Sequence, residues 1–136
     1  MAEYKTVDVR EVWDIILPGL EEIKSQTNPP WRLEDVYAAC VSGTAHIYMD
    51  PQRTRAGFLI LQSVLCPFRR ISKLLLWIAH DPVGGSATEY ALWVEKLAKE
   101  TGHQEIEIMT PHEGLWRLAE KFGYKMQWAV LTKEVK

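Results

Sequence analysis

Cysteine is scarce in this chain of 136 residues, which holds only Cys40 and Cys66, without a CxxC pair or a Cys/His zinc-ligand spacing. That excludes a zinc finger and a disulfide framework, so both thiols are expected to be free in apolar surroundings and no metal site is expected. Charge of one sign is also missing. Sixteen Lys and Arg against 18 Asp and Glu leave a formal charge of -2, so no global field draws the chain to nucleic acid or to a membrane surface. Arg53, Arg55, Arg69, Arg70 and Lys73 are the densest basic group, but loop ends are commonly charged and nucleic acid is not expected as a partner. No apolar run approaches the roughly 18 residues of a membrane-spanning helix, and the opening MAEYKTVDVREVW has no apolar signal core. The expected setting is a soluble, reducing, cytoplasmic one without a membrane partner. Repeats, low-complexity segments and Ser/Gly linkers are absent too, so residues 1–136 are read as one domain.

What is present is a succession of clear hydrophobic periods. Val9, Val12, Trp13, Ile16, Leu20 and Ile23 recur at helical spacing behind an Asp8 N-cap, with Pro18-Gly19 expected to kink or divide this helix. After Asn28-Pro29-Pro30, the residues Leu33, Val36, Tyr37 and Cys40 mark a second helix that Gly43 can end. The period then shortens to that of strands in TAHIYMD, GFLILQSVL and KLLLWIAH, separated by the turns DPQRTR and CPFRR. KLLLWIAH is apolar throughout, as expected of a strand covered on both faces. A third helix carries Ala87, Tyr90, Ala91, Val94, Leu97 and Ala98 on one stripe. QEIEIMT alternates as a strand, TPHE offers a capping box for a last helix, and MQWAVLTKEV is expected to close the chain as a strand. With a short leading strand at EYKTVDV, the order is β, α, α, β, β, β, α, β, α, β. That order gives an α/β fold: a mixed, mostly antiparallel central sheet, two N-terminal helices, and helices on both faces.

In this order of elements the chain resembles the GNAT (N-acetyltransferase) superfamily from end to end. The likeness is anchored on the strand-turn-helix from Leu74 to Gly102 and on Glu120-Lys121-Phe122-Gly123-Tyr124, which is similar to the family's EKxGF signature. An early PGL and a following EDVYAA are also similar to small GNAT-like proteins encoded by phages. The resemblance implies an acetyl-CoA cofactor whose pantetheine arm lies along Trp77, Ile78 and Ala79. It implies a pyrophosphate at Gly84, Gly85, Ser86 and Ala87, where helix N–H groups and the helix dipole favour an anion. Three positions depart from the family pattern. Pro82 stands where an Arg or Gln is usual, Ala119 where a thiolate-protonating Tyr is common, and His112 where an Asn is frequent.

The resemblance implies acetyl transfer to an amine, either of a small molecule or of a protein. The alternative is a GNAT fold without turnover, a binding or structural protein such as a phage accessory that engages a host or virion component in the host cytoplasm. A homodimer is open under both. Candidate acid or base groups are His80 at the end of the central strand, His112 at the last helix, and Tyr124 beyond it. Ser86 and Glu89 form a capping-box pattern that would tie up the donors of the turn, with Glu89 adding negative charge beside them. Trp13, Trp77, Trp93, Trp116 and Trp128 fall inside periodic elements and are read as core, and Trp31 as an exposed recognition aromatic.

Overall fold

The computed structural model describes residues 3–110 and 113–136. Five strands make one sheet in chain order: β1 (Lys5–Val7), β2 (Ala45–Met49), β3 (Phe58–Cys66), β4 (Ile71–His80) and β5 (Glu105–Ile108). Every pair is antiparallel except β4 with β5, which run parallel. Four helices accompany it, α1 (Val9–Gln26), α2 (Leu33–Ser42), α3 (Ala87–Glu100) and α4 (Glu113–Lys121).

Alternation along β3 divides the core between the two faces of the sheet. Ile60 and Phe58 pack with Val12, Ile16, Leu20 and Val36 under α1 and α2. Leu59 and Leu61 pack with Tyr90, Val94 and Ala98 of α3 on the other face. The three α3 residues are four apart, so one stripe of the helix meets the sheet. Tyr4 and Tyr48 close this seam edge-on against Trp93, with ring centroids 5.1 and 5.0 Å away.

Four expectations need correction. Helix α1 is not divided at Pro18-Gly19 but runs through both. Pro18 removes one backbone donor, whereas Ile16 and Leu20 on either side are fully buried and hold the helix to the sheet. Trp31 is not exposed. It is buried in the α1/α2 core, with Lys24 Nζ donating to its carbonyl at 3.2 Å and standing 5.7 Å from the ring centre.

The closing strand in MQWAVLTKEV does not form. Residues 124–136 carry no regular structure, and Trp128 and Leu131 are 73% and 94% exposed. A strand needs a partner edge, and this segment places apolar side chains on both sides of its pleat, which fixes no single face toward a core. Trp116, at 37% exposure, is likewise no core residue; its indole N–H donates to the Thr110 carbonyl at 2.7 Å. Trp13, Trp77 and Trp93 do pack against the two cores. The TPHE capping box falls on Pro111 and His112, outside the described residues.

Candidate functional site

Strand β5 follows β4 only from Lys73–Glu105 to Leu76–Ile108. Strand β4 continues through Trp77, Ile78, Ala79 and His80, still paired on its other side, Ile78 with Ile60, Ala79 with Leu59 and His80 with Phe58. Among the described residues no strand pairs with the β5-facing edge of this stretch. A parallel pair that separates partway leaves backbone N–H and C=O groups that an extended amide-bearing ligand can meet as a further strand would. The register also slips between Ile60 and Leu61, since Leu61 faces Leu76 and Ile60 faces Ile78. Trp77 is therefore the extra residue of a β-bulge, which bends the strand at the mouth of the opening. Ile78 is buried, Trp77 and His80 are half-buried and Ala79 is exposed.

The chain leaves β4 through Asp81 to Ser86 and enters α3. Gly84 and Gly85 both have left-handed backbones, φ 84° and 83°, and a Cβ on either would meet open space. Glycine adopts this conformation without strain, and neither residue has a side chain to cover the turn. The Ser86–Glu89 capping box does not form, for Ser86 makes no side-chain cap bond and has a helical rather than extended backbone. Instead the Asp81 carboxylate accepts from two donors of the turn, Gly84 N–H at 3.1 Å on Oδ1 and Ser86 N–H at 2.8 Å on Oδ2. Glu89 turns to Tyr4, whose phenol stays protonated far above its usual range through burial first and the Glu89 charge second.

His80 faces the α1 side. Its Nε2 lies 3.2 Å from Glu22 Oε2, and its ring stands 5.2 Å from that of Phe58. Its carbonyl accepts a hydrogen bond from the Tyr90 hydroxyl at 3.1 Å, so β4 is tied to α1 by a side chain and to α3 by its backbone. Helix α1 reaches this close because residue 19 is glycine: a Cβ there would lie 2.8 Å from His80 Nδ1 and 2.9 Å from Phe58 Cε1.

Tyr124 is elsewhere. Its N–H bonds back to the Ala119 carbonyl at 3.1 Å, and burial, with Glu95 of α3 nearby, raises its phenol pKa. Since α1 and α3 cover opposite faces of the sheet, His80 and Tyr124 are not brought together. His112 lies outside the described residues. Glu22 is the group that sequence reasoning missed, being 58 positions from His80, and the one local signal was its place a turn beyond Gly19 on the same helix.

Glu105 and Glu107 are engaged by cations of the sheet: Arg69 meets Glu105 at 2.7 Å, and Lys73 lies 3.8 and 3.7 Å from Glu105 and Glu107. Arg69 draws the Glu105 carboxyl below its ordinary range, as expected for a solvated, ion-paired strand face. A separate groove of about 540 Å³ runs between α1 and α2, lined by Trp13, Leu17, Glu21, Leu33, Glu34 and Tyr37, and shares no lining residue with the β4 opening. Among the described residues no cluster of His, Cys, Asp or Glu is placed to hold a metal ion.

The backbone superposes on solved structures along nearly the whole chain. A putative acetyl transferase from Pyrococcus furiosus superposes with a TM-score of 0.72 at 19% identity, over 98% of this chain and 100% of that one. The fold is that of the GNAT acetyltransferases. A predicted acetyltransferase from Clostridium acetobutylicum, solved with acetyl-CoA, matches at a TM-score of 0.70 and 13% identity over 97% and 96% of the two chains. A ribosomal-protein-alanine N-acetyltransferase from Brucella melitensis matches at 0.68 and 13%, over 98% and 100%. No protein-family model matches the sequence, and no curated protein is similar to it in sequence. The GNAT likeness is thus one of backbone, carried by the order and direction of strands.

Proposed function

We propose that this GNAT-fold chain is an N-acetyltransferase that uses acetyl-CoA to acetylate an amine. The observation that carries the reading is the open edge of β4 from Trp77 to His80, ending in a glycine turn at the start of α3. An acyl-CoA thioester, when bound, supplies an activated acetyl group. The residues present fit it in part. The backbone of Trp77, Ile78 and Ala79 offers amide partners to a pantetheine arm, and the clear space at Gly84 and Gly85 admits a diphosphate near the helix dipole. The side chains of Glu22 and His80 stand on the opposite side of β4 from α3, with the Glu22 carboxylate exposed.

On that side the exposed Glu22 carboxylate attracts an ammonium group, and it accepts a hydrogen bond from His80 Nε2, which holds it beside the end of β4. Alignment of two bound reactants contributes on the order of 7 to 11 kcal/mol, whereas one general base contributes about 3 to 5 kcal/mol. Ala119 in place of an acidic hydroxyl therefore slows the reaction without removing its larger source of acceleration. The acceptor belongs to the class of primary amines, on a small molecule or at an exposed protein site.

The reading is tested by calorimetry with acetyl-CoA, followed by a free-thiol assay across a panel of amines. With Asp81, whose carboxylate occupies the turn, replaced by alanine, Gly85→Asp is expected to weaken binding about tenfold or more, because it adds a charge and a side chain where the diphosphate must approach. Absence of acetyl-CoA binding by the wild-type protein, or equal affinity in a correctly folded Gly85→Asp variant of that background, refutes this placement.

A further inference from the structure

The turn before α3 already holds an anion, and it belongs to the chain itself. Pro82 biases Asp81 toward an extended backbone and supplies no N–H of its own, so the Asp81 side chain turns back into the loop. There its two oxygens take the donors of Gly84 and Ser86, one each. A Cβ on Gly84 or Gly85 would meet no atom within 4 Å, so the turn is open to an incoming diphosphate. No basic side chain offsets the crowding from within the turn, where Asp81 and Glu89 are the charged residues between His80 and Tyr90.

We infer that Asp81 sets the selectivity of this cleft between acyl thioesters that carry a diphosphate and those that do not, by occupying the anion position with its own carboxylate. The inference rests on the acyl-donor reading of the β4 opening and makes that reading more specific. A diphosphate must displace a charge-assisted pair of hydrogen bonds and then stay close to a like charge, both of which oppose its binding. A thioester that ends at pantetheine meets only the backbone of β4 and escapes both costs. In the wild-type protein the nucleotide half of acetyl-CoA accordingly adds little affinity, the reverse of what an anion-binding helix start ordinarily provides.

The test compares acetyl-CoA with S-acetylpantetheine by calorimetry on the wild-type protein and on Asp81→Asn and Asp81→Ala variants, with folding checked by circular dichroism. Asparagine keeps the size and one acceptor oxygen, while alanine removes both acceptors. The wild-type protein is expected to bind the two compounds with similar affinity. Both substitutions are expected to tighten acetyl-CoA by about tenfold, the scale of one charged hydrogen bond, and to leave S-acetylpantetheine within about twofold. An unchanged affinity ratio in folded variants overturns the role of Asp81 alone, since binding of either compound still supports the cleft. Failure of both compounds to bind any folded variant overturns the cleft reading and this inference with it.

Discussion

His80 shows how much of a site a single residue can reveal and conceal. Its identity and its place at the end of an apolar strand were legible, because the run KLLLWIAH stops there and a Pro-Gly turn follows. Its partners were not. Glu22, Phe58 and Gly19 reach it only after α1 folds over the sheet, and no period within a helix encodes a contact 58 residues away. Gly19 is the most constrained of the three. In sequence it reads as a helix breaker beside Pro18, whereas in the fold it lies in mid-helix, where glycine is otherwise unfavourable. The explanation is steric, since any Cβ would press on the His80 ring and Phe58. Gly19→Ala is therefore expected to destabilise the protein by about 1 to 3 kcal/mol, as overpacking does, although alanine is the better helix former. A lower urea midpoint with unchanged slope bears this out. A stabilised variant would show that α1 has room to move away from β4.

At the scale of elements, α3 was the clearest reading from sequence and the turn before it the least complete. Tyr90, Val94 and Ala98 form the buried stripe, as the spacing predicted. The capping pattern Ser86–Glu89 gave the wrong partners, because an Asp five residues before Ser86 competes for the same N–H and Tyr4 competes for Glu89. Local rules name who can cap a helix, but not which tertiary neighbour arrives. The seam that docks α3 also makes a prediction about pH. Burial raises the Tyr90 phenol to about 12, and Tyr4 in the same seam is raised as well. Unfolded phenols ionise near pH 10, so this contribution to stability is complete below pH 10 and is lost as pH rises toward 12. The loss is expected to be roughly 1 kcal/mol per pH unit for each such phenol. Urea midpoints measured at half-unit steps from pH 8 to 11 should fall above 10, and Tyr90→Phe should reduce the slope. Equal slopes in the two proteins would place the effect elsewhere.

For the molecule as a whole, the sheet joins what the two faces separate. β3 sends Ile60 to one core and Leu59 and Leu61 to the other, so neither core can come apart without the same strand. The end of the chain stands outside that arrangement. Helix α4 buries no residue, and beyond it Met126, Trp128, Val130, Leu131 and Val135 are all exposed. The sequence pattern marked this stretch as a strand because its composition is apolar and β-prone, yet a strand is a relation between two segments and, among the described residues, β5 pairs only with β4. The consequence is calorimetric. Unfolding absorbs roughly 0.7 kcal/mol of enthalpy per packed residue near 60 °C, which gives about 95 kcal/mol if all 136 residues contribute and about 75 kcal/mol if the cooperative unit ends near residue 110. The lower value is expected, in a single transition whose van't Hoff and calorimetric enthalpies agree. Deleting residues 125–136 should leave that enthalpy and the melting temperature unchanged, because every residue of that tail is exposed. An enthalpy near 95 kcal/mol, or a melting temperature several degrees lower after the deletion, would mean that the tail is packed in solution. The free edge of β5 is the place where it would have to lie.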